Sequence, residues 1–188
     1  MHTAIRTGLA AAIVAMLPLA GAKADSVADF YKGKTIDFNI GYSVGGGYDV
    51  YARLIAQYLG KHIPGNPSVV PKNMTGAGSL KLANWLYQVA PKDGTAIGAI
   101  GRGTAFDPLF KLKGAQFDAS KYTFIGSANN EVSVCVSWEG YGVTKFDDLK
   151  TKELVVGGTA ASADTDQFPK ILNAVLGTKF KIIGRYRN

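Results

Sequence analysis

The stretch Gly41-Tyr42-Ser43-Val44-Gly45-Gly46-Gly47-Tyr48-Asp49-Val50 follows the β-rich run Thr35–Ile40 and opens a helical pattern over Tyr48–His62. Three successive glycines between a strand and a helix let a guest come close to the backbone. On the helix, Val50, Tyr51, Leu54, Ile55, Tyr58 and Leu59 predict one apolar stripe. Ile63-Pro64-Gly65-Asn66-Pro67 then stops it.

The same succession recurs along the chain. Val69-Val70 leads through Asn73-Met74-Thr75-Gly76-Ala77-Gly78 to a predicted helix over Ser79–Ala90, and Pro91-Lys92-Asp93-Gly94 makes a turn. Thr95–Ile100 reads as a third strand, followed by Gly101-Arg102-Gly103-Thr104 and a short helix before Pro108. Leu154–Val156 is a further strand with its own loop, Gly157-Gly158-Thr159-Ala160-Ala161-Ser162. It is followed by a helix over Asp164–Leu176, Gly177 and a strand at Phe180–Ile183. Strands alternating with helices through short joins predict an α/β fold with mainly parallel sheets. Ligands of such sheets sit beyond the carboxyl ends of the strands, where all these loops fall.

The pattern changes after Gly114. Tyr122–Ile125 and Val132–Trp138 read as extended runs broken by Gly126-Ser127-Ala128-Asn129-Asn130. That suits a chain crossing from a first lobe, 25–126, to a second, 127–188, through a hinge at about 126–134. Some sixty residues are few for a well-covered parallel sheet, so the second lobe is expected to be incomplete. Lys145–Leu149 reads as a short helix within it.

Residues 1–24 read as a secretory signal, with Arg6, the apolar run Gly8–Leu19 and an Ala22-Lys23-Ala24 cleavage site, too short for a membrane span. They predict a periplasmic protein. Their removal takes away Arg6 and Lys23 and no acid, so the formal charge falls from +7 to +5. The basic residues are dispersed without interleaved aromatics, which argues against nucleic acid as a partner. Cys135 is the one cysteine, which excludes a disulfide framework, and its apolar neighbours predict a buried thiol. His62 is the one histidine after residue 24, which leaves little for a His-based metal site or a catalytic triad.

Nucleotide binding fails on particulars. Gly41 and Gly46 stand at P-loop spacing, but Gly47 and Tyr48 replace the Lys and Ser/Thr that hold phosphate and metal. Gly98-Ala99-Ile100-Gly101-Arg102-Gly103 runs the dinucleotide fingerprint backwards, and Lys72-Asn73 stand where a ribose-binding acid is needed. A carboxylate fits better, because bare N–H groups at a helix N-terminus hold an anion without a cationic side chain. Hydrogen bonds to a charged acceptor are worth roughly 1.5–3 kcal/mol each and the helix dipole roughly 0.3–1 more. Three such donors approach the ~8 kcal/mol of micromolar affinity. Structural roles stay open beside this one. The glycines can serve tight turns, Asp49 can complement the helix dipole, Thr104 and Ser162 can cap helices, Tyr42 can cover the sheet, and Arg102 can be a solvated surface cation.

With these loops in view the chain resembles the extracytoplasmic receptors of tripartite tricarboxylate transporters, the Bug receptors. The resemblance rests on the signal, on Gly45-Gly46-Gly47-Tyr48-Asp49, on Asn73-Met74-Thr75-Gly76-Ala77-Gly78 and on Ala90-Pro91-Lys92-Asp93-Gly94-Thr95. Phe124-Ile125-Gly126-Ser127 and Val156-Gly157-Gly158-Thr159 follow in the same order. The resemblance implies a two-lobed clamshell of the type II periplasmic binding protein kind, with no cofactor, no metal and no catalysis. It implies a ligand carboxylate gripped by main-chain amides and waters at Tyr42, Ser43, Val44, Gly45, Gly46, Gly47 and Asp49 and at Gly76, Ala77 and Gly78. Gly103, Thr104, Thr159 and Ser162 would face the rest of the ligand. The loaded receptor, a monomer when complete, would dock on a membrane permease. Arg102 departs from a loop that is small and uncharged in the family, and is expected to pair a second ligand carboxylate. Arg185-Tyr186-Arg187-Asn188 stands where the family has a glycine-rich loop, and the family's chain goes on beyond it. Two rival readings are a carboxylate sensor signalling to a kinase and a periplasmic enzyme using Lys72, Asp107, Asp164 or Asp166.

Overall fold

The computed structural model describes residues 27–184. The expected signal segment, its expected cleavage site and Arg185–Asn188 lie outside the described residues. After a short helix α1 (Val27–Tyr31), strand β1 (Thr35–Ile40) forms the centre of a three-stranded sheet of order β2-β1-β3, with β2 at Ser68–Asn73 and β3 at Ala96–Ala99. All pairs are parallel. Thr35 lies opposite Ser68 and Ile40 opposite Asn73, while Ile40 also lies opposite Ala99. Pro71 is accommodated because β2 is an edge strand, with one side of its backbone free of the ladder.

The two crossovers run in opposite directions. Helix α2 (Gly47–Leu59) carries the chain from β1 outward to β2, and α3 (Leu80–Gln88) carries it back past β1 to β3. Right-handed parallel connections then require the two helices on opposite faces of the sheet. Phe38 and Ile40 meet Ala52 and Ala56 of α2 on one face, and Leu86 of α3 covers Gly98 of β3 on the other. Leu80 and Ala83 of α3 are also buried against Phe117.

Helix α2 corrects the expected stripe. Val50, Tyr51, Leu54 and Tyr58 are exposed, and the buried positions are Asp49, Ala52 and Ala56. Both sets have helical spacing. The alanines let the helix axis lie close to the sheet and those four larger side chains are turned outward, while Ile55 of the expected stripe packs on the core and Leu59 is half-buried.

A second α/β unit has β4 (Leu154–Gly157) paired in parallel with β5 (Phe180–Ile183) through α4 (Asp164–Leu176). Val143, Leu149, Leu154 and Phe180 form its core. Asn173 locks the return from α4, with Oδ1 accepting from Thr178 Oγ1 at 2.8 Å and Phe180 N at 2.9 Å, and Nδ2 donating to Phe180 O at 2.8 Å. The expected helix at Lys145–Leu149 is a 3-10 turn at Phe146–Lys150.

Two expected strands do not form. Tyr122–Ile125 and Val132–Trp138 carry no strand pairing, and Val132 is 89% exposed. An extended run becomes a strand only when a neighbour takes its N–H and C=O groups, and no described segment does so. Cys135 is therefore exposed rather than buried. Among the described residues no helix is long and apolar enough to cross a membrane.

Gly41 and Gly98 both sit where a Cβ would collide with a neighbour. At Gly41 the obstacle is Ser79 Cβ on a buried backbone, whereas at Gly98 it is the end of the Leu86 side chain. Gly41→Ala is expected to cost about 1–3 kcal/mol and Gly98→Ala less, because Leu86 can rotate away. Urea unfolding of the two variants beside the parent gives the comparison.

Candidate functional site

The loops at the carboxyl ends of β1, β2, β3 and β4 converge. Gly41 N donates to Ala99 O at 3.0 Å, which holds the tip of β1 to that of β3. Tyr42 stacks on Tyr48 with ring centroids 4.1 Å apart. Gly101 has no room for a Cβ, because the Tyr42 hydroxyl occupies that place. Burial and the adjacent Tyr48 push the Tyr42 phenol well above its ordinary value, so it stays neutral.

The first loop is shaped by Asp49, which is only 2% exposed. Its Oδ2 accepts from Gly45 N at 2.9 Å, its carboxylate takes Arg53 Nε at 2.9 and 3.0 Å, and Oδ1 accepts from Asn73 Nδ2 at 2.7 Å. Asn73 Nδ2 also reaches Tyr42 O at 2.9 Å, and Arg53 Nη2 closes the ring onto Asn73 Oδ1 at 2.6 Å. These donors, Arg53 foremost and then Gly45 N, lower the Asp49 carboxyl to about 2. Gly45, at φ +84°, supplies the left-handed turn that lets its N–H face back toward Asp49.

One consequence is an uncapped helix start. The N-cap residue is Gly46, which offers no side chain, and Asp49 is committed within the loop. The amides of Ser43, Val44, Gly47, Tyr48 and Asp49 have no acceptor among the described residues. Such groups are the ready partners of an anion.

The second loop carries four successive residues at positive φ: Gly76 +147°, Ala77 +50°, Gly78 +64° and Ser79 +72°. For Ala77 and Ser79 that conformation costs roughly 1–2 kcal/mol each. Ser79 is fully buried, and its hydroxyl offsets part of the cost. It accepts from Gly101 N at 2.8 Å and bonds Thr104 Oγ1 at 2.9 Å, joining the second and third loops.

The second unit reaches into the same place. Ser162 Oγ donates to the Ala77 carbonyl, and Gly78 lies against Ser162, Ala160 and Ala163. Gln167 Nε2 donates to Asp107 Oδ1 at 2.9 Å, while Asp107 Oδ2 is buried without a partner among the described residues. Burial pushes the Asp107 carboxyl up to about 6. A hollow of about 290 Å³ opens beside this pair, walled by Phe110, Leu112, Ala161, Lys170, Ile171 and Ala174. A second hollow of about 330 Å³ lies at the opposite edge of the sheet, between the end of α2 and the start of β2, away from all four loops.

Of the residues the sequence singles out, Tyr42, Gly78, Thr104, Ser162 and Arg102 are brought into mutual contact or onto one another's loops. Val44 is exposed at the rim, and Thr159 bonds Thr165 in the first turn of α4. Arg102 pairs with Asp164 and Glu131. Sequence reasoning missed Ser79 as a junction, Tyr48 as the partner of Tyr42, and the Arg53–Asn73 support of Asp49. The i,i+4 spacing of Asp49 and Arg53 was the one signal available for the last. Among the described residues no group of three or more His, Cys, Asp or Glu side chains could hold a metal ion.

No protein-family model matches the chain. Over 111 residues it is 36% identical to the UPF0065 protein in gbd 5'region of Cupriavidus necator, and UPF0065 is the Bug family. The matched stretch is 59% of this chain and 31% of that relative, so the chain spans about a third of the relative's length. This similarity supports the family that the loop motifs resemble. It points to a binding-protein family, not an enzyme family.

Asp49→Ala is expected to lower the melting temperature at neutral pH. With a folded value of about 2 against an ordinary 3.8, the carboxylate stabilises the fold above about pH 4. The gap between parent and variant should narrow as pH falls toward 2. Asp107 has the opposite sign. Its value of about 6 lies above the ordinary 3.8, so stability should fall as pH rises from about 4 through 6. Asp107→Asn should flatten that part of the curve, and thermal melts from pH 2 to 8 read both effects.

Proposed function

We propose that this chain is a receptor of the Bug type that captures a small organic carboxylate outside the cytoplasm and presents it to a membrane permease. The carrying observation is the uncapped start of α2, where the amides of Ser43, Val44, Gly47, Tyr48 and Asp49 lack acceptors among the described residues. The leader-like segment and the UPF0065 similarity support the compartment and the class. On this reading the ligand carboxylate sits on the first loop. Gly76, Ala77 and Gly78 form its neighbouring wall, and Gly103, Thr104, Thr159 and Ser162 line the approach to its body. The Asp49 side chain shapes the loop and does not touch the ligand, since its oxygens are taken by Gly45, Arg53 and Asn73. The two α/β units stand for the two halves of a clamshell with the ligand between them.

On this reading the chain binds its ligand without chemistry on it, with Tyr42 held neutral by burial and the Asp49 carboxylate committed within its loop.

Gly47 gives a direct test. It is the first helical residue, it has open space where a Cβ would go, and Gly46 before it is extended at φ −75° and ψ 164°. Proline is at home in such a place, and it removes one N–H. Gly47→Pro should leave the melting temperature unchanged or raised in the absence of ligand. It should weaken carboxylate binding by about 10- to 100-fold, the equivalent of one hydrogen bond to a charged acceptor. Calorimetric titration of parent and variant with benzoate, butanoate and pyruvate makes the measurement. Unchanged affinity in the variant, or no binding by the parent, would reject the amide grip.

A further inference from the structure

Arg102 was expected to be free for a second carboxylate on the ligand. The structure commits it elsewhere. Its Nε donates to Asp164 Oδ2 at 2.7 Å, its Nη2 forks onto the same oxygen, and its Nη1 reaches Glu131 Oε2 at 3.4 Å. Asp164 begins α4 in the second unit, and its other oxygen accepts from Thr165 N at 2.9 Å. Phe168 of the same helix lies under the guanidinium, 6.0 Å from ring centroid to Cζ. One cation faces two carboxylates, so the cluster carries a net charge of −1.

The cluster is also well placed to be felt by a ligand. The backbone N–H of Arg102 donates to the hydroxyl of Tyr48 at 3.4 Å, and Tyr48 is the second residue of the helix whose amides are uncapped. The amide loop thus offers positive partial charge, and the wall reached through Tyr48 offers net negative charge. For a second ligand carboxylate to take Arg102, the fork to Asp164 must break. That would leave Asp164 and Glu131 unpaired beside the incoming anion. Arg53 cannot substitute, being bonded to Asp49 and Asn73. Lys81, whose stem lies along Gly76, is a further cation near these loops, a flexible point charge without a planar fork.

We propose that the site selects monocarboxylates over dicarboxylates, with the Arg102–Asp164–Glu131 cluster setting that preference through the net negative charge it places opposite the amide loop. The proposal rests on the carboxylate reading above and narrows it to a substrate class. Arg102 is then a specificity-determining residue that holds the acids in place, and the acids provide the discrimination. A ligand whose far end is uncharged meets no penalty there, and one whose far end is cationic gains.

The test uses the full chain at low ionic strength, where charge effects are least screened. Calorimetry measures dissociation constants for two matched pairs, benzoate with terephthalate and butanoate with succinate. In the parent each monocarboxylate should bind at least about tenfold more tightly than its dicarboxylate partner. Glu131→Gln takes the cluster to neutral, and Glu131→Gln with Asp164→Asn takes it to +1. The dicarboxylate-to-monocarboxylate ratio of dissociation constants should fall stepwise through the two variants. It should drop by about tenfold or more in the second. Glu131 is exposed and outside any helix or strand, so the single variant remains informative if the double variant is unstable. Dicarboxylates binding the parent as tightly as monocarboxylates, whichever cation receives them, would overturn the proposal. A ratio unmoved by Glu131→Gln would do the same. Failure of all four acids to bind would instead overturn the carboxylate reading beneath it, a separate and distinguishable result.

Discussion

Parallel strands joined through helices must turn right-handed, and that constraint decides where everything else in this chain stands. The path runs from β1 to β2 and then back across β1 to β3, so α2 and α3 are forced to opposite faces. The loops leaving β1 and β3 therefore stand side by side at the topological switch point, where a ligand crevice forms in sheets of this kind. Tyr42 against Gly101, and Tyr48 beneath the Arg102 amide, are the contacts made across that crevice. Several of the glycines follow from the same geometry. Gly41 must clear Ser79, Gly101 must clear Tyr42, and Gly78 must clear Ser162.

A second interaction gives the crevice its character. An acid in the first turn of a helix ordinarily complements the dipole from outside. Asp49 is drawn inward by Arg53 and Asn73 and folds the preceding loop back through Gly45 N. The helix start keeps its positive end and loses its internal counter-charge. The second loop is held in a costly conformation nearby, with Ala77 and Ser79 both left-handed. Backbone strain of this kind persists only where the surroundings over-determine it. Here the buried Ser79 hydroxyl, bonded to Gly101 N and Thr104, is the fixing element. Rigid donors lose little freedom when an anion arrives, which suits a site built from main chain.

Much of this was legible in the residues. Strand Thr35–Ile40, helix Asp164–Leu176 and strand Phe180–Ile183 stand where the patterns put them, because each agrees in propensity, periodicity and stop signal. The convergence of the glycine loops was legible too, since alternating strands and helices leave their βα loops at one edge. The α2 face was not. Large apolar residues and alanines both follow helical spacing on that helix, and which set faces inward depends on how near the sheet lies. Nor were the runs at Tyr122–Ile125 and Val132–Trp138, since β propensity describes what a strand is made of and says nothing of whether a neighbour exists. At the site, Tyr42 and Thr104 could be singled out as tip residues, but Ser79 could not. Its role comes from a left-handed backbone that the sequence signals only through the flanking glycines.

On the proposed reading, the ion pair at Arg102 ties selectivity to the docking of the two units. Main-chain donors recognise a carboxylate by charge and direction alone, so they cannot tell a short acid from a long one or a monoanion from a dianion. Discrimination then has to come from what stands opposite. Arg102 belongs to the first unit and Asp164 to the second, and the same fork that offsets the arginine charge also joins them. The pair is partly exposed and contributes little stability by itself, so the docking also draws on Ser162 with Ala77 and on Gln167 with Asp107.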